Sequence, residues 1–176
     1  WQLISEVKKL KGALIEIGVW KGGSGCLIAK KSELEGINDV IYLCDSFKGI
    51  VKANKIHDNH KNGAYECSKE FVQDLSNKLE LKNIKILEGV FPEETSHLIT
   101  ENKFRFCHID VDVYQSIKDI VEWIWDKLVI GGIIVSDDYG FMGCEGITKF
   151  INEERKKKDR LVIHNLNGHA IIVKIK

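Results

Sequence analysis

Two hydrophobic periods alternate along this chain. Leu3, Val7 and Leu10 recur at helical spacing, and the apolar run at 13–17 then reads as a buried strand. The same reading gives a helix over 24–34, a strand over 40–44, a polar loop to about residue 66 and a helix over 68–79. A strand at 84–87, a short helix after Pro92 and a strand at 104–109 follow. Ile117, Ile120, Val121 and Ile124 mark a helix over 116–128, with a strand at 132–135 and a helix over 147–157 after it. Two last strands, 161–164 and 170–175, flank Asn165-Leu166-Asn167-Gly168, a hairpin signal. Regular β-α alternation predicts an α/β Rossmann-like fold: a mostly parallel sheet, helices on both faces, right-handed crossovers and a C-terminal antiparallel hairpin. Residues 1–176 read as one domain without internal repeats, and a start at Trp1 rather than Met leaves room for an upstream segment.

Charge narrows the partners. The 26 basic and 26 acidic residues cancel, so no global field recruits nucleic acid or an anionic membrane. Lys156, Lys157 and Lys158 follow Glu153, Glu154 and Arg155 and read as a solvated helix end. No apolar run approaches the roughly 20 residues of a bilayer span, and no signal peptide is visible. Five cysteines (Cys26, Cys44, Cys67, Cys107, Cys144) are odd in number and form no C-x-x-C pair. Cys44 and Cys107 sit in strand patterns as small hydrophobes, and a reducing cytoplasm is the expected home.

Candidate chemistry gathers where strands end. Asp110 and Asp112 follow one apolar run, and Asp137 and Asp138 follow another one strand–helix–strand unit later. Neighbouring parallel strands lie about 4.8 Å apart, so these carboxylates can converge, and crowded carboxylates call for a divalent cation. The first strand leads through Glu16-Ile17-Gly18-Val19-Trp20-Lys21-Gly22-Gly23-Ser24-Gly25 into a helix. Ser24 stands where a P-loop needs Lys, and Trp20 stands where a dinucleotide fingerprint needs glycine. A nucleoside ligand without a pyrophosphate stays open. Asp45, ending the second strand, is placed to accept from ribose hydroxyls. Trp20 and Ser24, in the turn itself, are further candidates for touching cofactor, and Trp20 also for touching substrate.

These motifs, with Asp45-Ser46-Phe47-Lys48-Gly49, Glu88-Gly89-Val90-Phe91, His108-Ile109-Asp110-Val111-Asp112-Val113-Tyr114 and Asp137-Asp138-Tyr139-Gly140, stand in the order found in the macrocin/mycinamicin-type sugar O-methyltransferases. The resemblance runs from about Ala13 nearly to the end. It implies a class I S-adenosylmethionine (SAM) methyltransferase fold, Mg²⁺ dependence and methylation of a hydroxyl on a sugar or glycoside. It places Glu16 and Gly18 near the methionine part of SAM, Asp45 and Ser46 at the ribose, and Gly89, Val90 and Phe91 near adenine. Asp110, Asp137 and Asp138 match its metal ligands, Asp110 also lying beside the cofactor, and Asp112 matches its proposed general base. Members carry an N-terminal segment that helps cover the active site or form an oligomer. Little precedes the first strand here, so a homo-oligomer stays open. The loop after Gly49 also lacks the family's Pro-rich continuation.

Other readings compete. If Asp112 is itself a ligand, solvent or His108 becomes the base, although His108 reads more readily as a supporting core histidine. His57-Asp58-Asn59-His60 resembles a metal cluster by composition but reads better as a loop facing substrate. Trp123 and Trp125 read as packing residues, and Tyr114 and Tyr139 either line the pocket or pack. Asp110-Val111-Asp112 is also the D-x-D of a metal-dependent glycosyltransferase, and a non-catalytic SAM- or nucleoside-binding domain is the remaining alternative.

Overall fold

The computed structural model describes residues 1–176. Five strands run parallel: β1 (Ala13–Ile17), β2 (Ile41–Asp45), β3 (Ile84–Glu88), β4 (Phe104–Ile109) and β5 (Leu128–Ser136). The hairpin of β6 (Arg160–His164) and β7 (Ala170–Lys174) completes a seven-stranded sheet of order β3-β2-β1-β4-β5-β7-β6, with β7 antiparallel to β5. This is the predicted α/β architecture. Strand order reverses at β1, which lies between β2 and β4, so the crossovers diverge there and open a crevice at the carboxyl ends.

Side-chain alternation divides the core. Ala13, Ile15 and Ile17 face one layer with Ile117, Ile120, Val121 and Ile124 of α4 (Tyr114–Trp125) and Ile147, Phe150 and Ile151 of α5 (Glu145–Glu154). Leu14 and Leu43 face the other, with Ile4 of α1 (Gln2–Glu6), Ile28 and Ala29 of α2 (Gly23–Leu34) and Val72 of α3 (Lys69–Lys78). Trp123 stands edge-on to Phe91 and Phe104, and Trp125 donates to Asp159 beneath the Arg160 guanidinium, so both indoles pack. No helix is long and apolar enough to cross a membrane.

Several boundaries differ from the periodicity reading: β5 begins four residues before the expected 132–135, and α5 runs over Glu145–Glu154 rather than 147–157. The helix after Pro92 shrinks to one 3₁₀ turn, Ser96–Leu98. Helix α4 starts at Tyr114 because Asp58, far away in sequence, accepts from its backbone N–H at 2.9 Å and supplies the cap. It ends at Trp125 because Leu128 already pairs with Phe104 as the first residue of β5.

Candidate active site

One cavity of about 270 Å³ lies over the carboxyl ends of β1, β2, β4 and β5. Its first wall is the glycine turn. Gly18 has φ of +83° and donates to the Cys44 carbonyl at 3.0 Å, while Asp110 N–H donates to the Ile17 carbonyl at 3.0 Å. The turn is thus seamed to both neighbouring strands. Asp45 braces it from beside: Oδ2 accepts from Val19 and Trp20 N–H at 2.7 and 2.8 Å, and Oδ1 accepts from Phe47 N–H at 2.7 Å. A carboxylate has about four lone-pair positions, so Asp45 retains one on Oδ1. Ser46 fixes the next bend, its hydroxyl donating to the Gly49 carbonyl and accepting from Lys48 N–H. Gly89, Val90 and Phe91 also line this arm, with Val90 N–H held by Glu94 at 2.7 Å.

Two of the sequence candidates lie outside the lining. Glu16 is fully buried, with Oε1 2.8 Å from His108 Nδ1 and Oε2 without a partner. Ser24 is on the exposed first turn of α2. Burial opposes the charging of His108, but the Glu16 carboxylate on its ring outweighs that and raises its pKa. His108 therefore sits behind the wall.

The second arm is acidic. Carboxylate oxygens of Asp110, Asp112 and Asp138 lie within 4.8 Å of one another. Burial, then Asp137 and Asp112, push Asp110 up to about 7. Burial, then Asp138, push Asp112 up to about 6, and Asp138 itself is raised by burial and by Asp137. Asp137 lines the same cavity but outside the tight trio. Its Oδ1 accepts from Asp138 N–H at 2.9 Å and stands 3.2 Å from His169 Nε2, whereas Oδ2 makes no hydrogen bond. Tyr114 and Tyr139 lie outside the cavity lining and pack with the core, their hydroxyls donating to Glu153 and Asn152 of α5.

A backbone feature unites the two arms. Trp20, Phe47, Asp112 and Asp138, two or three residues beyond β1, β2, β4 and β5, all have left-handed backbones, with φ of 47°, 53°, 62° and 62°. Side chains avoid that region unless the surroundings enforce it, and such enforcement clusters at functional sites.

The loop after Gly49 holds what local sequence patterns do not show. It splits the His57–His60 group: His57 lies against the Tyr114 ring, Asp58 is the α4 cap, Asn59 donates to Glu145, and only His60 reaches the acids, 3.8 Å from Asp112. Ile50, Val51 and Tyr65 line the cavity, and Tyr65 stands edge-on to Trp20 at 6.1 Å, closing the space above the glycine turn. Cys144 and His169 arrive from other elements still. Only the His57–His60 composition signals any of this in the sequence.

Comparison with known proteins fits this geometry. The demethyldecarbamoylnovobiocin O-methyltransferase of Streptomyces niveus is 26% identical over 159 residues, which cover 84% of this chain and 60% of that enzyme. The 8-demethyl-8-(2,3-dimethoxy-alpha-L-rhamnosyl)-tetracenomycin-C 4'-O-methyltransferase of Streptomyces olivaceus is 26% identical over 148 residues, 76% of this chain and 55% of that enzyme. The chain thus spans less than two thirds of the length of either curated relative. The solved structure of the O-methyltransferase NovP superposes with a TM-score of 0.85 at 22% identity, covering 99% of this chain and 77% of that one. The calicheamicin methyltransferase CalS11 follows at a TM-score of 0.77 and 15% identity, covering 98% of this chain and 76% of that one, so the fold is shared with both. The family profile "Macrocin-O-methyltransferase (TylF)" matches residues 3–168, and the chain belongs to that family.

Proposed function

We propose that this protein transfers a methyl group from SAM to a hydroxyl of a sugar or glycoside, with Mg²⁺ held at the strand-end acids. One observation carries the reading: a single cavity joins the Asp45-braced glycine turn and the Val90–Phe91 shelf to four carboxylates. A nucleoside fits the first arm, and a polar acceptor fits beside the second.

The donor set suits a hard cation. It offers oxygen only, and its carboxyls are pushed toward protonation by burial and then by one another, a repulsion a bound divalent ion would relieve. Asp110, Asp137 through its free Oδ2, and Asp138 would hold it. Bound there, Mg²⁺ would act as a Lewis acid toward the acceptor hydroxyl.

The remaining work falls to the chain. The acceptor oxygen bonds to the SAM methyl carbon as the carbon–sulfur bond breaks in line, leaving S-adenosylhomocysteine. The hydroxyl proton passes to an Asp112 oxygen, whose raised pKa makes it a better acceptor than an ordinary carboxylate. The Asp45-braced turn would hold the nucleoside end of SAM, and the loop bearing Tyr65 would limit water above it.

Mass spectrometry of a panel of rhamnosides and other deoxysugar glycosides, incubated with SAM with and without Mg²⁺, tests this. A product one methylene heavier, lost on chelation, is expected. Tight binding of a UDP-sugar without SAM binding would sink the proposal.

Asp45→Ala is expected to weaken SAM binding by roughly 10- to 100-fold, the usual cost of losing charged hydrogen bonds, and to leave Mg²⁺ affinity unchanged by calorimetry. Unaltered SAM affinity would remove Asp45 from the cofactor site.

The acids also predict a pH signature. Asp110 and Asp112 titrate at about 7 and about 6 in the folded chain, against about 4 when unfolded. Folding therefore favours their protonated forms. That stability is full below about pH 4 and is lost as pH rises through about 6 to 7. Mg²⁺ should accordingly raise the melting temperature more at about pH 8 than at about pH 5. An equal shift at both values would argue against binding at these acids.

A further inference from the structure

A second cluster of metal-ligating atoms shares Asp112. His60 Nε2 lies 3.4 Å from Cys144 Sγ and 3.8 Å from Asp112 Oδ1, and Cys144 Sγ lies 4.0 Å from that same oxygen. Three separate pieces of chain supply them: the loop after β2, the exit of β4 and the N-cap of α5. Asp138 completes the surroundings, its carboxylate within 4.8 Å of that of Asp112 and close enough to Cys144 to act on its thiol. Zinc bonds of about 2.0 Å to nitrogen or oxygen and about 2.3 Å to sulfur give tetrahedral edges of roughly 3.3–3.6 Å. Each observed separation lies within about half an ångström of such an edge.

We propose that His60, Asp112 and Cys144, with Asp138 as fourth donor, form a soft-ion site that takes Zn²⁺ or Co²⁺ and withdraws Asp112 from methyl transfer. The chemistry differs from that of the acid trio. Nitrogen and sulfur donors select borderline and soft ions, whereas carboxylate oxygens alone suit Mg²⁺. Burial, Asp138 and Asp112 all push the Cys144 thiol up. A divalent cation among these groups reverses that pressure; the thiol proton leaves to solvent and the thiolate coordinates. Asp112 is common to both clusters, and Asp138, the proposed fourth donor, belongs to the acid trio, so the soft ion also competes with the hard one. The binding stands on these atoms alone; the competition rests on the methyltransferase reading.

Titrating the full chain with Co²⁺ under anaerobic, reducing conditions decides the binding. The wild type should show the visible bands of tetrahedral cobalt and a near-ultraviolet thiolate-to-cobalt band. Cys144→Ser should lose the thiolate band, His60→Ala should weaken binding at least about tenfold, and Cys67→Ser should change neither. No thiolate band in the wild type, or one that survives Cys144→Ser, overturns the site. If Cys144→Ser fails to fold, His60→Ala, altering a half-buried loop residue, carries the decision: unchanged affinity overturns the site. Zn²⁺ should then arrest Mg²⁺-supported methylation until a zinc-selective chelator is added. Undiminished turnover with Zn²⁺ bound overturns the competition, whereas absence of any turnover with Mg²⁺ alone strikes the methyltransferase reading and leaves the cobalt result standing.

Discussion

Gly18→Ala is expected to destabilise the fold by more than about 3 kcal/mol, the range of severe backbone clashes, and to abolish SAM binding with it. A Cβ at Gly18 would overlap the Asp110 carbonyl oxygen and stand 2.7 Å from its carbonyl carbon. Neither side can yield. The residue has φ of +83°, and its neighbours are fixed by the Ile17–Asp110 and Gly18–Cys44 backbone bonds. The clash falls on the seam between β1 and β4, so any relief must open the sheet where strand order reverses. Gly23→Ala is the control: nothing lies within 4 Å of its Cβ, and it begins α2 at an ordinary backbone angle. Urea unfolding should separate the two, with Gly23→Ala neutral or slightly stabilising. A Gly18→Ala protein as stable as the wild type would mean that the turn is not locked as described.

Asp138→Asn and Asp112→Asn should fail differently. Asp138→Asn is expected to lower Mg²⁺ affinity by at least about 100-fold, the loss of a charged ligand, while SAM binding holds. Asp112→Asn should lower kcat by roughly 10²- to 10⁴-fold, the usual contribution of a general base, with Mg²⁺ affinity nearly intact. Either change removes one of the mutually repelling carboxylates, so both metal-free variants should melt higher than wild type near neutral pH. That rise separates lost chemistry from lost folding. A loss of Mg²⁺ binding in Asp112→Asn equal to that in Asp138→Asn would move Asp112 into the ligand set, where its closeness to Asp110 and Asp138 also suits it.

Strands were the most legible elements because their signal is local. The apolar runs at Ala13–Ile17 and Phe104–Ile109 are bounded by charged or glycine residues and are observed with those limits. Helix α4 was less so, because its cap is Asp58, and no pattern near Tyr114 reports a partner in a distant loop. The cavity candidates at Gly18, Asp45, Gly89 and the four acids could be read because parallel strands deliver their C-terminal residues to one edge. His60, Tyr65 and Cys144 could not. They reach the cavity or its acids through the path of an irregular loop and the start of α5, which depend on tertiary contacts rather than periodicity. Glu16 shows the converse: it follows a family motif, yet its place on the inward face of β1 puts it behind the wall with His108.

The left-handed residues Trp20, Phe47, Asp112 and Asp138 bear on how this protein could be engineered or could evolve. An L-residue in that conformation costs about 1–2 kcal/mol relative to the right-handed one, and glycine escapes most of it. Glycine at Trp20, Asp112 or Asp138 would therefore relax the backbone while deleting a side chain that lines the cavity, whereas at Phe47 the lost core packing would outweigh the gain. A lineage screened for heat resistance alone has its easiest gains where function is densest. Thermostabilising libraries of this protein should hold those four codons fixed and seek their improvements on the far end of the sheet.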